Sequence, residues 1–279
     1  MALSWWQAAW LGVVQGFTEF LPISSTAHLR IVPALLGWGD PGTAFSAVIQ
    51  LGTLVAMLVY FAGDIWRLSL AAIRSLYDPR IRETMDARLA WAIAAGNIPI
   101  VVLGLSFKDW IETDARSLYV IGTMLIVVGL ALGLAERRLK DGGVQKKLET
   151  LRFWPIQMIG LFQALALIPG ASRSGSTILG GLVLGLRRDD AARFSFLLGI
   201  PAILGSGLYE LRPLMAELEL VSGGLGVLVV GLVTSAISGY LAIGFLLAFL
   251  RTRSTMVFVI YRVVLGVLVL GLAWRGVIG

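Results

Sequence analysis

The sequence contains no cysteine and a single histidine, and only 14% of its 279 residues are charged. The lack of cysteine excludes a disulfide framework and any chemistry that uses a thiol. The chain is instead 57% hydrophobic, and runs of eighteen or more mostly apolar residues recur along it. These runs are continuous and do not alternate with polar residues, which favours a polytopic helical membrane protein over a membrane β-barrel.

The net charge of +6 is interpreted as loop charge that orients the chain in a membrane, so we expect no nucleic acid partner. The N-terminus lacks a basic region, and Gln15 and Glu19 interrupt the first apolar segment, so we expect no cleavable signal peptide. The sequence therefore predicts a single all-α membrane domain over residues 1–279, with the lipid bilayer around it.

Polar side chains are concentrated in residues 12–30, which read G-V-V-Q-G-F-T-E-F-L-P-I-S-S-T-A-H-L-R. Gln15 and Glu19 are four positions apart and therefore project from one face of a helix. Pro22 ends or kinks that helix. The hydroxyl residues that follow are suitable N-caps for a second helix, and they are Ser24, Ser25 and Thr26.

His28 lies three residues after Ser25, close enough for the two side chains to meet on the first turn of the second helix. Ionisable groups at membrane depth are costly and are candidates for function by default. Two simpler interpretations stay open. A lone histidine near a helix end is often a structural residue, and serine and threonine in membrane helices mostly bond to the carbonyl four residues earlier.

The apolar segments 3–21 and 24–37 are separated at Pro22, and the second is too short to cross a hydrocarbon core of about 30 Å. We therefore predict a re-entrant helical hairpin, which enters and leaves on one side. The rest of the first half is predicted to form spans at 45–62, 89–107 and 117–135, and loops at 64–88, 108–116 and 136–152.

The second half of the chain resembles the first. G-V-V-Q at 12–15 is echoed by G-L-F-Q at 160–163, and the break at Pro22 is echoed at Pro169. Each repeat, about 1–140 and about 150–279, would hold one hairpin and three spans. An odd number of spans places the start of the second repeat on the opposite side of the membrane from the start of the first. We therefore expect the second copy to be inverted relative to the first.

The distribution of basic residues sets the predicted orientation. If loop 64–88 is cytoplasmic, sixteen basic residues lie on the inside and four on the outside. The first hairpin would then be entered from the outside. Three arginines are assigned to neither side, and they are Arg30, Arg173 and Arg262.

The second hairpin carries P-G-A-S-R-S-G-S-T at residues 169–177. A helix N-terminus beside an arginine is a ready site for an anion. Two hairpins that enter from opposite faces would bring their breaks together near the midplane. The groups of the first break would then face Ser172, Arg173, Ser174 and Thr177. Arg173 could also serve only as a charge partner that neutralises Glu19.

The motif Q-G-F-T-E-F-L-P-I-S-S-T-A-H, followed by P-G-A-S-R-S-G-S-T-I-L-G-G, closely resembles the two signature motifs of the undecaprenyl-diphosphate phosphatase family, also called the bacitracin-resistance proteins. F-S-F-L-L-G-I-P at 194–201 and Y-R-V-V-L-G at 261–266 are also similar to that family. The chain departs from the usual pattern at Ala27, where glycine is common, and at Gln15, which replaces a glutamate.

The resemblance implies an integral membrane phosphatase of the bacterial cytoplasmic membrane. It would remove the terminal phosphate from a C55 isoprenyl diphosphate and so regenerate the lipid carrier for cell-wall synthesis. We expect the active site to open to the outer, periplasmic side. The resemblance also suggests a divalent cation, Mg²⁺ or Ca²⁺, for which Glu19 is the candidate ligand.

The hypothesis for the site assigns a role to each polar residue. Arg173 and the helix N-termini hold the diphosphate, Ser25 is the nucleophile or orients a water, and His28 moves its proton. Glu19 binds the cation or orients His28. The remaining candidates are substrate-binding, and they are Gln15, Ser24, Thr26, Ser172, Ser174 and Thr177.

A second class of function is compatible with the same pattern. Inverted repeats with broken helices that meet at the midplane are also the plan of secondary transporters. A carrier or flippase of a lipid phosphate would need similar polar hairpins. The sequence leaves a homodimer open as well.

Overall fold

The computed structural model describes residues 3–39, 41–140, 145–216 and 224–278. Within these residues the chain is almost entirely helical, as predicted. The helices are α1 (Trp5–Phe20), α2 (Ser25–Leu36), α3 (Gly42–Tyr60), α4 (Ala62–Tyr77), α5 (Pro79–Arg82), α6 (Met85–Gly96), α7 (Ile98–Ser106), α8 (Lys108–Glu112), α9 (Leu118–Lys140), α10 (Phe153–Ala164), α11 (Arg173–Val183), α12 (Arg188–Ala216), α13 (Gly224–Thr252) and α14 (Met256–Trp274).

Five helical segments are long and apolar enough to cross a membrane, or six if the bent pair α3 and α4 is counted as one. Two of them, Met85–Ser106 and Leu118–Leu139, correspond to the spans predicted at 89–107 and 117–135. The first is divided into α6 and α7 at Asn97, just before Pro99, whose backbone nitrogen has no hydrogen to donate. The structure thus confirms a polytopic helical membrane protein.

The prediction of a loop over 64–88 is wrong, because α4 and α5 occupy most of it. The arginines of this segment suggested a solvated loop, but α4 is amphipathic. Its inner face holds Leu68 and Ser75, both buried, and the indole N–H of Trp91 in α6 donates to the Ser75 hydroxyl at 2.9 Å. Packing against α6 therefore stabilises α4 as a helix, although its arginines suggested a loop.

The predicted loop 136–152 is also wrong at its start, since α9 continues to Lys140. Glu136 is fully buried and accepts hydrogen bonds from the guanidinium of Arg188 at 2.8 Å and from the hydroxyl of Thr255 at 2.8 Å. This network joins α9 to the starts of α12 and α14, and these buried hydrogen bonds stabilise the last turns of α9. Residues 141–144 of the predicted loop lie outside the described residues.

The two predicted helix breaks are confirmed. α1 ends at Phe20, and the Ser24 hydroxyl caps α2 by accepting from the backbone N–H of Ala27. In the second half, Ser172 caps α11 by accepting from the N–H of Gly175. Ser24 and Ser172 have φ angles of 75° and 71°, and they are the only non-glycine residues of the described chain with positive φ. Both breaks therefore turn in the same unusual way.

The first hairpin is fixed to the bundle by a close contact between α1 and α13. Gly12 and Gly16 of α1 face this contact, and a Cβ atom on Gly12 would lie 2.3 Å from the carbonyl oxygen of Gly231. Only glycine allows the two backbones to approach this closely. Elsewhere α3 packs on α12 and α13, and α9 packs on α14.

Arg262 of α14 connects the two breaks from within the bundle. Its side chain is fully buried. The guanidinium and its Nε–H donate to five backbone carbonyls at 2.9–3.2 Å, those of Pro22, Met124, Leu125, Gly170 and Ala171. Three of these carbonyls belong to the broken segments and have no helical partner there, so Arg262 satisfies backbone groups that would otherwise be unpaired in the membrane.

We expect Arg262→Lys to destabilise the protein and to abolish activity. Lysine keeps the charge, but its compact ammonium cannot reach carbonyls on three segments at once. The expected loss is on the order of 3 kcal/mol of unfolding free energy, from several charge-assisted hydrogen bonds. The measurement is reversible unfolding in detergent, with Arg275→Lys at the exposed end of the same helix as the control. Equal stability of Arg262→Lys and the parent would contradict this role.

Candidate functional site

The two helix breaks meet, as predicted. The backbone N–H of Gly170 lies 3.5 Å from the Thr26 hydroxyl oxygen, and the Ser174 hydroxyl donates to the carbonyl of Leu21 at 3.1 Å. The ends of α2 and α11 that carry unpaired backbone N–H groups are therefore brought to one place. This juxtaposition creates a locally positive environment between the two breaks.

Glu19 is the centre of the polar cluster, and its side chain is 3% exposed. One carboxylate oxygen, Oε2, accepts from the Ser25 hydroxyl at 2.7 Å and from the Gln15 amide at 3.0 Å. The other, Oε1, accepts from Arg173 at 3.0 Å. The predicted pairing of Glu19 with Arg173 is thus present, and it joins the two hairpins across the break.

The predicted contact between Ser25 and His28 is wrong, because the two side chains turn to different partners. The Ser25 hydroxyl donates to Glu19, whose carboxylate is a stronger acceptor than an imidazole nitrogen. His28 Nδ1 lies 2.7 Å from the carbonyl oxygen of Ser24. A carbonyl only accepts, so Nδ1 carries the proton. When the ring is neutral, Nε2 then accepts from the Tyr261 hydroxyl, which lies 2.6 Å away.

Arg173 uses part of its donor set inside the protein. Nη2 donates to Glu19 and Nη1 donates to the carbonyl of Ser195 at 3.0 Å, whereas the buried Nε has no partner among the described residues. The guanidinium lies directly over Gly199 of α12, where an added Cβ would be 2.2 Å from Nη1. Gly199 therefore makes room for the arginine.

The other predicted hydroxyls differ in how accessible they are. Thr177 is buried and bonds to the Ser195 hydroxyl and to the carbonyl of Arg173, while Ser24, Ser172 and Ser174 are occupied at the breaks. Thr26 is exposed and Ser25 is partly exposed. A ligand can therefore reach Ser25 and Thr26 directly, and the remaining hydroxyls support the backbone around them.

Two residues of this cluster were not predicted to belong to the site. Tyr261 and Ser195 lie in the segments Y-R-V-V-L-G and F-S-F-L-L-G-I-P, which the sequence marked as resembling a family but to which it assigned no role. The fold gives both residues their partners: the Tyr261 hydroxyl bonds to His28, 233 residues away, and Ser195 bonds through its hydroxyl to Thr177 and through its backbone carbonyl to Arg173, 18 and 22 residues away.

The donor set fits a protein-held divalent cation only in part. In the residues that the structure describes, no group of three or more His, Asp or Glu side chains is placed to hold a metal. Glu19 is the one carboxylate of the cluster, and both of its oxygens already accept hydrogen bonds. Mg²⁺ and Ca²⁺ bind through several oxygen ligands, so most of them would have to come from the substrate.

The geometry suits transfer of a phosphoryl group. An accessible hydroxyl is bonded to a carboxylate, and an arginine and two helix N-termini supply positive charge within the same cluster. Phosphoryl transfer requires positioning and charge stabilisation more than elaborate covalent machinery. The chemistry of the site therefore agrees with the function implied by the sequence motifs.

Comparison with known proteins supports the same conclusion. The family model of the bacitracin resistance protein BacA matches residues 8–268. Proteins named undecaprenyl-diphosphatase are 51% identical in Nocardioides sp. over 272 residues (98% of this chain and 97% of the relative), 50% in Prosthecochloris aestuarii over 278 residues (98% and 99%) and 53% in Myxococcus xanthus over 270 residues (97% and 89%). The match extends over nearly the whole chain, and the chain belongs to the bacitracin resistance protein BacA family.

Proposed function

We propose that this protein is a membrane phosphatase that hydrolyses undecaprenyl diphosphate to undecaprenyl phosphate and inorganic phosphate. This reaction returns the lipid carrier to cell-wall synthesis and confers resistance to bacitracin. The observation that carries the proposal is the hydrogen bond between Ser25 and Glu19 at 2.7 Å, next to Arg173, at the meeting point of two broken helices. The relatives named undecaprenyl-diphosphatase share this chain's length and about half of its residues.

The proposed reaction proceeds in two steps. The Ser25 oxygen attacks the terminal phosphorus while its proton passes to Glu19, and the bond between that phosphorus and the bridging oxygen breaks. Prenyl monophosphate leaves and a phosphoserine remains. Water then attacks the phosphoserine, Glu19 returns its proton to the Ser25 oxygen as the bond from that oxygen to phosphorus breaks, and inorganic phosphate leaves with the oxygen and both protons of the water. Arg173 stabilises the charge on the phosphoryl oxygens, with its unpartnered Nε–H as a further donor.

His28 acts as a positioning residue in this scheme. Its Nδ1–H holds the carbonyl of Ser24, whose positive φ sets the direction in which the next residue, Ser25, leaves the break. Tyr261 fixes the other edge of the ring through its hydroxyl and stacks on it, with ring centroids 5.7 Å apart. The imidazole therefore fixes the backbone that precedes Ser25 and does not take the proton of the Ser25 hydroxyl.

The divalent cation suggested by the sequence motifs remains a proposal. Glu19 and the amide oxygen of Gln15 are candidate oxygen ligands from the chain, and a diphosphate would supply the rest. The cation would neutralise phosphate charge, and we derive no step through it. We expect it to bind with the substrate, so that titration of the protein alone with Mg²⁺ or Ca²⁺ shows only weak binding.

A phosphatase and a lipid carrier are separated by an assay without compartments. We expect the purified protein in detergent to release inorganic phosphate from undecaprenyl diphosphate, whereas a carrier would release none. Undecaprenyl monophosphate should give no phosphate, because its remaining phosphate is not on an anhydride. A parallel assay with a chelator measures the dependence on a divalent cation.

Ser25→Ala provides the matched test of the nucleophile. We expect this variant to lose turnover, and rapid quench of the parent with labelled substrate to trap a phosphoprotein that the variant does not form. Ser206→Ala, on α12 and bonded only to the carbonyl of Ile203, should behave as the parent. Near-normal turnover by Ser25→Ala would show that Ser25 is not the nucleophile. The phosphatase assignment would then depend only on whether the protein releases phosphate from undecaprenyl diphosphate in detergent.

Gly199 allows the role of Arg173 to be tested without changing the arginine. An alanine Cβ at this position would lie 2.2 Å from Nη1 and 2.6 Å from Cζ, so Gly199→Ala must displace the guanidinium. Loss of one preorganised donor typically lowers kcat on the order of 10²–10³-fold, and we expect a fall of this size. The measurement is kcat in detergent alongside the thermal midpoint.

The same helix offers the control for this experiment. Gly205 of α12 has open space where a Cβ would stand, so Gly205→Ala should keep the parent's kcat and thermal midpoint. If Gly199→Ala folds and also keeps its kcat, the position of the guanidinium does not matter for turnover. Arg173 would then be only the charge partner of Glu19.

We propose further that the two repeats are inverted and that the site opens to the outer side of a bacterial cytoplasmic membrane. The matching φ angles of Ser24 and Ser172 support equivalent hairpins, and the pairing of α9 with α14 and of α3 with α12 is what a two-fold relation between repeats requires. The excess of basic residues around 64–88 and 136–152 supports a cytoplasmic position for these segments.

Labelling of single cysteines tests this orientation, since the parent has none. A cysteine at Lys108 should react with an impermeant thiol reagent in whole cells, and one at Gln145 should react only after the membrane is opened. The opposite pattern would reverse the orientation. Reaction of both in whole cells would place the two segments on one side and contradict the inverted repeat.

A further inference from the structure

α4 leaves the end of α3 at an angle of 78°. α3 alone contains 19 residues, about 28 Å of helix, which is enough to cross most of the hydrocarbon core. A helix that continues at nearly a right angle to a spanning helix cannot cross the membrane again. α4 therefore runs close to the plane of the membrane, at the level where α3 ends.

The inner face of α4 is fixed to the bundle. Leu68 and Ser75 are buried, and Asp64 forms an ion pair with Arg193 of α12 at 2.7 Å. Arg67 reaches Asp86 at the start of α6 at 3.6 Å. These contacts set the rotation of α4 about its own axis, so that the side of the helix opposite Leu68 and Ser75 points away from the protein.

That outer side carries a stripe of large apolar residues, Trp66, Ile73 and Tyr77, which we call the outer stripe. The three are 72%, 57% and 84% exposed. They are spaced seven and four positions apart, so they follow one line along a helix. A tryptophan and a tyrosine at the level of a helix bend suit the boundary between lipid and water, where such rings are enriched.

Basic residues lie within three positions of outer-stripe residues in the sequence, Arg74 in α4 and Arg80 in α5. Arg74 and Arg80 are exposed, and neither forms an ion pair within the described part of the chain. The one acid of α4, Asp64, lies on its inner face and pairs with two arginines, whereas the exposed carboxylates of Asp78 and Glu83 follow the helix. The accessible charge on α4 itself is therefore positive.

We propose that α4 is an interfacial helix that binds the membrane surface, with the outer stripe inserted at headgroup level and Arg74 and Arg80 in contact with anionic phospholipid headgroups. The position of α4 favours lipid as its partner, because α4 directly follows the membrane span α3 and lies along the bilayer. Its charge favours lipid as well, because guanidinium groups beside an apolar stripe complement acidic lipid and not a second copy of the same basic surface.

The first experiment locates the outer stripe. The cysteine-free chain permits one nitroxide label at Ile73→Cys and, as a control, at Glu83→Cys in the exposed segment after α5. The full-length protein is placed in vesicles of phosphatidylcholine with an equal part of phosphatidylglycerol. We expect the label at 73 to collide mainly with oxygen, which concentrates in lipid, and the label at 83 mainly with a water-soluble nickel chelate.

Two results would overturn the insertion of the stripe. Equal access of the nickel chelate to both labels would place α4 in water. Shielding of the label at 73 from both reagents, with dipolar broadening between labels, would show that a second copy covers the stripe.

The second experiment measures the preference for anionic lipid. A bimane fluorophore at Ile73→Cys is quenched by spin-labelled phosphatidylglycerol or by spin-labelled phosphatidylcholine, and the ratio reports which lipid is enriched. Each arginine near an anionic surface favours it on the order of fivefold. We therefore expect Arg74→Gln combined with Arg80→Gln to lower the ratio by more than fivefold.

The matched control removes two other exposed charges, with Arg251→Gln and Arg253→Gln at the end of α13. These changes should leave the ratio at position 73 unchanged. An equal effect of both pairs would mean that net charge alone attracts the lipid, and an unchanged ratio in the first pair would mean that α4 does not select it. Either result would contradict the role of Arg74 and Arg80.

Discussion

Arg262 meets a constraint that a membrane imposes on every broken helix. Backbone groups released by a break have no water to bind in the hydrocarbon region, so the protein must supply their partners. The guanidinium reaches Pro22 in one break and Gly170 and Ala171 in the other, with 2.9–3.1 Å hydrogen bonds. Its planar set of donors allows one side chain to serve both halves of the chain. Arg262 thus supplies partners for the backbone carbonyls of both breaks, and this allows the polar cluster to form between them.

The two capping serines show a second compromise at the same place. A non-glycine residue at φ near 70° costs on the order of 1–3 kcal/mol, and glycine would avoid that cost. Serine is nevertheless used at both positions, because its hydroxyl caps the following helix. Ser24 accepts from the backbone N–H of Ala27, and Ser172 accepts from the backbone N–H of Gly175. The capping bonds and the buried arginine offset the strain. The turn that results directs Ser25 of one break and Arg173 of the other toward Glu19.

Local signals in the sequence predicted the parts of the structure that depend on local chemistry. A proline followed by serines predicted each break and its cap. The spacing of Gln15 and Glu19 predicted that they share one helix face, where the structure places a hydrogen bond between their side chains. The partners of His28 could not be predicted in this way, because Tyr261 is 233 residues distant and only the packing of α14 brings it near. α4 was missed for another reason. Its arginines outweighed the helical spacing of its apolar residues, although that spacing was readable in the sequence.

The hydrogen bonds of Glu19 connect binding to chemistry in the proposed mechanism. In the structure its two oxygens are shared between Arg173, which neutralises the carboxylate, and Ser25, whose proton it would accept. A diphosphate that approaches through the accessible side of Ser25 and Thr26 competes with the carboxylate for the same guanidinium. As Arg173 turns its donors to the phosphate, Glu19 loses its counter-ion at the moment when Ser25 must give up a proton. One ion pair across the two breaks would thus hold the site together and prepare it for the substrate.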